Sequence, residues 1–411
     1  MNRIIDFLPK MKTPEELTDA LKVLPEYSDT ICQKDSVTRL LALSDLYKIY
    51  IPSFMSVEIY SKLYLSLIRS LNKKHTKLST IQQNENFKAV LNQEYRGIIG
   101  GSDSFTIIGS SGIGKSSAIS RAIELITENK VIETEKPYSK IIPCVTIQCP
   151  FDSSVKGLLL EILRKVDEVL DSTYYEKALR SRATTDMLIG SVSQVALNHI
   201  GLLIVDEIQN VVNSKNGKSL VGVLTQLINN SGISICMVGT PESNIFFEQA
   251  MQLARRSLGL QYGAMKYDNS FKEFCTILFS YRYVKYESRL TEGIISWIYE
   301  HSGGITSVVI SLIHDAQEIA ILNGSEKIDL DNLTEAYKKR LSLLHDYIEP
   351  RKPFKTLLKN KTTTNIPKTE NVSEGLKTLN LMQEILTESK SSQIDVLNLI
   401  KDRIQVEEIR L

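Results

Sequence analysis

The apolar positions of this chain fall into four stretches with different spacing. Over residues 1–95 they recur at helical intervals. Thr13-Pro14-Glu15-Glu16 reads as a helix start, with a Thr cap, Pro at the first position and acids in the first turn. Asp35–Tyr50 carries Leu40, Leu43, Tyr47 and Tyr50 at helical spacing and stops before Pro52. A further helix is expected over about Ser56–Leu71. It ends in the basic run Lys73-Lys74-His75-Thr76-Lys77, which suits either a phosphate contact or a solvated helix end.

Residues 96–268 alternate short apolar runs with amphipathic ones. Phe105–Ile108, Lys140–Gln148, Gly201–Asp206, Ile233–Gly239 and Leu260–Lys266 read as strands. Ser117–Glu128, Ser154–Leu170, a segment ending near Asn198, and Leu220–Ile228 read as helices between them. That alternation predicts an α/β domain, a parallel five-stranded sheet covered on both faces. Residues 269–348 return to helical spacing, at Ser270–Phe279, Leu290–His301, Thr306–Leu322 and Leu330–Asp346, with Ser302-Gly303-Gly304 as a sharp break and Asp329 or Asp331 as the last cap. Residues 349–411 open as a polar linker and continue into two short amphipathic segments, Leu376–Thr387 and Gln393–Ile404.

At 411 residues the chain is long enough for two or three domains. A net charge of +1 excludes a wholesale basic coat for nucleic acid but leaves room for a local stripe. The five cysteines are scattered without zinc spacing, and reduced, buried thiols are expected. No apolar run approaches membrane-spanning length, so no membrane partner and a cytoplasmic location are expected.

Candidate chemistry concentrates at the ends of the expected strands. Thr106–Ser117 contains Gly109, Gly114, Lys115 and Ser116 in the spacing G-x-x-x-x-G-K-[ST], with Ser110, Ser111, Gly112 and Ile113 filling the loop and Ser117 following it. A polyphosphate is held there by inward-pointing backbone N–H groups, which need turns that glycine makes at little cost. Lys115 reaches the β- and γ-phosphates, the Ser116 hydroxyl is a Mg²⁺ ligand, and the following helix points its positive end at the anion. ATP with Mg²⁺ is the implied ligand. About ninety residues on, Gly201–Asp206 is an apolar strand that ends in Asp206-Glu207. Asp206 would hold Mg²⁺ and Glu207 would orient the attacking water. Thr240, after Met237-Val238-Gly239, is placed to sense the γ-phosphate. Arg255 and Arg256 are candidates for an arginine finger completing a neighbouring subunit's site. The lid-like helices after the sheet suit an AAA+ ATPase. The usual second-sensor arginine has no counterpart in Gly303-Gly304-Ile305-Thr306-Ser307-Val308, where Thr306 is the substitute.

Taken together the motifs resemble the AAA+ transposition regulators of the TnsC/TniB group. The resemblance rests on the Arg39–Pro52 segment, Gly109–Ser116, Leu203-Ile-Val-Asp-Glu-Ile-Gln-Asn210, Met237-Val-Gly-Thr-Pro241, Leu253-Ala-Arg-Arg256, Phe271-Lys-Glu-Phe274 and His301-Ser-Gly-Gly-Ile305. It implies ATP-dependent assembly of a homo-oligomer, ring or helical filament, on double-stranded DNA. It further implies a bridge between a target-selection protein and a DDE transposase, with hydrolysis driving disassembly. By the same analogy Tyr50, Ile51 and Pro52 lie near the adenine, and Lys156, Lys177, Arg180 and Arg182 are the DNA-facing candidates. The expected organisation is a helical N-terminal segment (1–95), an AAA+ core (96–268), a helical lid (269–348) and a partner-binding tail (349–411), the last a possible contact for an endonuclease subunit. A replication loader, a remodelling chaperone and a nucleotide-switched signalling module share the same core motifs and stay open as alternatives.

Overall fold

The computed structural model describes residues 4–74, 76–92, 97–100, 104–133, 140–211, 217–244 and 257–341. They all fall in one unit, Met1–Arg351. The two segments expected in the tail, and Arg255 and Arg256, lie outside the described residues.

Four helices precede the sheet: α1 (Pro14–Leu21), α2 (Ser36–Ala42), α3 (Phe54–Leu71) and α4 (Lys77–Asn92). Thr13 caps α1 as expected, in a full capping box with Glu16. The single helix expected over Asp35–Tyr50 is instead α2 followed by a 3₁₀ turn, Leu43–Lys48. The reason is the spacing of three between Leu43, Leu46 and Ile49, all buried, which matches a three-residue turn.

The sheet has six strands rather than five, in the order β2-β3-β4-β5-β1-β6. They are β1 (Ser104–Gly109), β2 (Ile132–Glu133), β3 (Lys140–Gln148), β4 (Ile200–Asp206), β5 (Ser234–Gly239) and β6 (Ser257–Tyr262). The extra strand, β2, pairs antiparallel with the edge of β3 over two residues, too few to give a periodic signal. The other five are parallel. The last strand lies earlier than the expected Leu260–Lys266. Its register with β1 runs from Ser104↔Ser257 to Gly109↔Tyr262, so pairing ends where β1 ends.

Between the strands come α5 (Lys115–Thr127), α6 (Val155–Leu170), α7 (Tyr174–Arg180), α8 (Thr185–His199) and α9 (Gly217–Ser231). Side chains alternate across the sheet as period two demands. On β4, Leu203 and Val205 join the core beneath α6, α8 and α9, while Leu202 and Ile204 join the core with α1, α3 and α5. On β5, Ile235 and Met237 face the first core and Cys236 and Val238 the second.

After β6 follow α10 (Asn269–Ser280), α11 (Glu292–Ser302), α12 (Thr306–Asn323) and α13 (Leu330–Ala336). Asp329, not Asp331, caps α13. These helices form a third core that also takes Leu43, Leu46 and Ile49 from the N-terminal segment. That segment therefore divides its apolar residues between two bodies. The α1 and α3 faces pack on the sheet, and residues 27–51 pack on the lid helices. Arg39, 1% exposed, fastens the second attachment. Its guanidinium donates to both Glu326 carboxylate oxygens at 2.6 and 2.7 Å and to the Tyr283 carbonyl at 3.0 Å. Arg39 holds the Glu326 carboxyl below its ordinary value.

At Lys74 the basic run after α3 is neither a phosphate contact nor a solvated end. Lys74 is buried, and its Nζ donates to the Ala196 and Leu197 carbonyls at the end of α8. Burial pushes its ammonium down to about 7. Lys73 donates to the Gly100 carbonyl.

Candidate functional site

Because the five long strands are parallel, Gly109, Gln148, Asp206, Gly239 and Tyr262 lie along one edge of the sheet. Ligands of such sheets bind beyond this edge. Two cavities open there. One, of 290 Å³, is lined by Ser111, Gly112, Gly114, Lys115, Ser116 and Ser117 from the loop and first turn of α5, and by Asp206, Glu207, Gln209, Gly239 and Thr240 across the edge. The other, of 860 Å³, is walled by Tyr50, Ile51, Pro52, Ile113 and the chain after β6. They share Gly114, Ser117, Thr306 and Ile310 and so form one continuous cleft.

The loop keeps the shape its glycines allow. Gly112 and Gly114 sit at φ +81° and +92°, and a Cβ on Gly112 would collide with Ile305 and Ser307. The Lys115 ammonium donates to the Gly109 and Ser110 carbonyls at 2.7 and 3.0 Å. Burial pulls it below the ordinary lysine value, and the Asp206, Glu207 and Glu242 carboxylates pull it back.

Asp206 ends β4 opposite Gln148. Its Oδ2 accepts from the Ser116 hydroxyl at 3.0 Å, and its Oδ1 accepts from the Glu207 N–H at 2.8 Å. A hydroxyl and a carboxylate at this distance are a hard-oxygen pair of the kind Mg²⁺ takes. Glu207 turns out of the strand at φ +58° and is exposed at the cavity mouth. The Thr240 hydroxyl is buried against the cavity beside the Glu242 carboxyl, which its hydrogen bonding holds below the ordinary value. A hydroxyl donor beside a cationic loop fits a phosphate oxygen.

Thr306 at the start of α12 closes the cleft from the lid side. Its Oγ1 donates to the Gly112 carbonyl at 2.8 Å, and the Ser307 N–H donates to the same oxygen at 3.0 Å. No arginine or lysine stands at this helix start.

The sequence did not single out Gln209. Its Nε2 donates to the Glu207 carboxylate, and its Oε1 accepts from the Thr240 N–H at 3.3 Å. One side chain thus joins two of the expected site residues. Its only sequence signal is its position in Asp-Glu-Ile-Gln-Asn. The four DNA-facing candidates are not in the cleft. Lys156 is exposed on the first turn of α6, and Lys177, Arg180 and Arg182 are exposed on or just after α7. Arg180 pairs with Glu176 at 2.9 Å.

The sheet order, the loop–carboxylate pair and the following helices define an AAA+ P-loop ATPase. Residues 85–260 match the family described as TniB, Bacterial TniB protein, so the resemblance carried by the motifs is shown over that segment. A comparison with curated proteins finds no match. Among solved structures, the Aeropyrum pernix ORC2 protein (ADPNP-ADP complexes) is 18% identical, with 71% of this chain and 70% of that chain covered and a TM-score of 0.46. The Aeropyrum pernix ORC1 protein in complex with DNA is 12% identical, with 66% of each chain covered and a TM-score of 0.42. Among the described residues, no helix is long and apolar enough to cross a membrane.

Proposed function

We propose that this protein is an ATP-dependent, DNA-binding regulator of DNA transposition. It assembles as a homo-oligomer on double-stranded DNA and connects a target-selection protein to a DDE transposase. The observation that carries the ATP part is the meeting of Lys115, Ser116, Asp206, Glu207 and Thr240 around one cavity. The transposition part rests on the TniB match over residues 85–260.

The triphosphate lies on the loop N–H groups and the first turn of α5, with Lys115 on the β- and γ-oxygens. Ser116 and Asp206 would hold Mg²⁺, which when bound neutralises charge on the phosphates. Thr240 donates its hydroxyl to the γ-phosphate. Glu207 accepts a proton from, or orients, the attacking water, and Gln209 positions its carboxylate. Tyr50, Ile51 and Pro52 border the base. Arg255 or Arg256 of a neighbouring subunit supplies the cation that the start of α12 lacks. In an assembly on DNA, Lys156, Lys177, Arg180 and Arg182 need neutralise only one or two phosphates per subunit, because the contacts repeat along the duplex. A net charge of +1 is compatible with this. Hydrolysis then releases the assembly, and the tail 349–411 docks a partner.

Electron microscopy of the purified protein with a non-hydrolysable ATP analogue and linear duplex DNA tests this reading. Rings or filaments on the duplex are expected. Absence of any oligomer on DNA refutes it.

A further inference from the structure

The larger cavity beside the loop contains a carboxylate–phenol pair that the phosphate chemistry does not use, besides the Tyr50–Ser56 hydroxyl pair. Its walls are mostly apolar, with Ile51, Pro52, Met55 and Met265 among them. Glu58, on the second turn of α3, enters this lining half-buried, together with Tyr262 at the end of β6. The Tyr262 hydroxyl donates to Glu58 Oε2 at 2.7 Å. Burial and this neighbour push the Tyr262 phenol well above its ordinary value, so it stays a donor and fixes the carboxylate's orientation. Among the described residues, Glu58 Oε1 has no hydrogen bond or ion pair.

We propose that Glu58 is the base-selecting residue of this nucleotide site, its free oxygen accepting a hydrogen bond from the exocyclic 6-amino group of adenine. The proposal rests on the reading of the adjoining loop cavity as the triphosphate site. A carboxylate is acceptor-only. Adenine brings an N–H to it. A purine without the 6-amino group leaves it desolvated and unpaired, and guanine places a 6-oxo oxygen there, lone pair against lone pair. A site built to hydrogen-bond one group discriminates strongly against a ligand lacking it. The other charged residues lining the cavity, Lys266 and Glu273, are exposed to solvent at its rim, where their fields are screened.

Titration of the full-length protein with ATP, purine riboside triphosphate and GTP, each with Mg²⁺, tests the assignment. The wild type is expected to bind ATP about tenfold or more tighter than either competitor. Glu58→Leu keeps the apolar packing and removes the acceptor. It should weaken ATP and tighten purine riboside triphosphate, which no longer leaves a carboxylate unpaired, so that their ratio falls about tenfold towards one. Tyr262→Phe leaves the carboxylate but frees its orientation, and should lower the same ratio by a smaller factor. It keeps the test open if the leucine variant fails to fold. Equal wild-type affinity for ATP and purine riboside triphosphate, a preference for GTP, or a ratio unmoved by both variants overturns the proposal alone. Failure of the wild type to bind any triphosphate overturns the loop-cavity reading and this one with it.

Discussion

Two lysines are buried among the described residues, Lys74 and Lys115, and both give their ammonium to backbone carbonyls. Burial lowers the pKa of each. What differs is the rest of the shell. Lys115 lines a cavity and feels three carboxylates, at Asp206, Glu207 and Glu242. Among the described residues no carboxylate opposes Lys74, and its acceptors are the Ala196 and Leu197 carbonyls in the last turn of α8. One lysine faces a cavity lined by acids and backbone N–H groups. The other adds a cap to the last turn of α8, where the Ala196 carbonyl also accepts the Ile200 N–H. A buried, depressed lysine is therefore not by itself a mark of a site. The charges and space that face it are.

The largest effect should come at the acidic side of the Lys115 cluster. Glu207→Gln is expected to leave ATP affinity within about twofold and to slow hydrolysis about 100-fold or more, the usual size of a lost general base. Lost nucleotide binding in this variant would remove Glu207 from the hydrolytic role. Next is Lys115→Ala, which removes charge-assisted contacts to the triphosphate. An ATP-analogue titration should show a Kd raised about 100-fold, roughly 3 kcal/mol. Unchanged affinity would dissolve the contrast between the two lysines.

Lys74→Met should behave in the opposite way, with nucleotide affinity unaltered and stability changed. In the folded protein Lys74 loses its proton near pH 7, in the unfolded chain near the ordinary lysine value of 10.5. Between those values the unfolded state binds more protons, so wild-type stability from this group rises with pH. The gain is complete above the unfolded value and is lost as pH falls through about 7. The helix-end carbonyls favour the ammonium and narrow this window. Denaturant midpoints at a series of pH values should show the rise in the wild type and a flatter profile in the variant. Parallel profiles would show that Lys74 does not titrate in this window. The smallest effect is expected from Thr240→Val, which removes one hydroxyl donor. Single-turnover hydrolysis should slow about tenfold, the worth of one hydrogen bond to a charged group. No change would leave Thr240 as a turn residue before Pro241.

Much of the smaller cavity was legible in the sequence because its parts are local. Gly109–Ser116 must form its loop from adjacent residues, and Asp206-Glu207 marks itself by ending an apolar strand. The larger cavity was less legible. The resemblance implies a place near the adenine for Tyr50, Ile51 and Pro52, and the structure puts all three in the lining of that cavity. Glu58 and Tyr262 are 204 positions apart, and nothing local in either pairs them. Gln209 was visible only as part of a motif, since its role depends on the loop after β5 coming within reach.

The chain by itself determined the succession of elements, the loop, the carboxylate pair and the parallel α/β class, because periodicity, glycine turns and strand-end acids act over a few residues. Only the tertiary structure decided the sixth strand, the use of Lys74 as a helix-end cap and the division of residues 4–71 between sheet and lid. It also joined the two cavities into one cleft. Each of these depends on which apolar face finds which partner. Hydrophobic burial rewards area wherever it is found and carries no sequence address, so the partners are settled only when the whole chain packs.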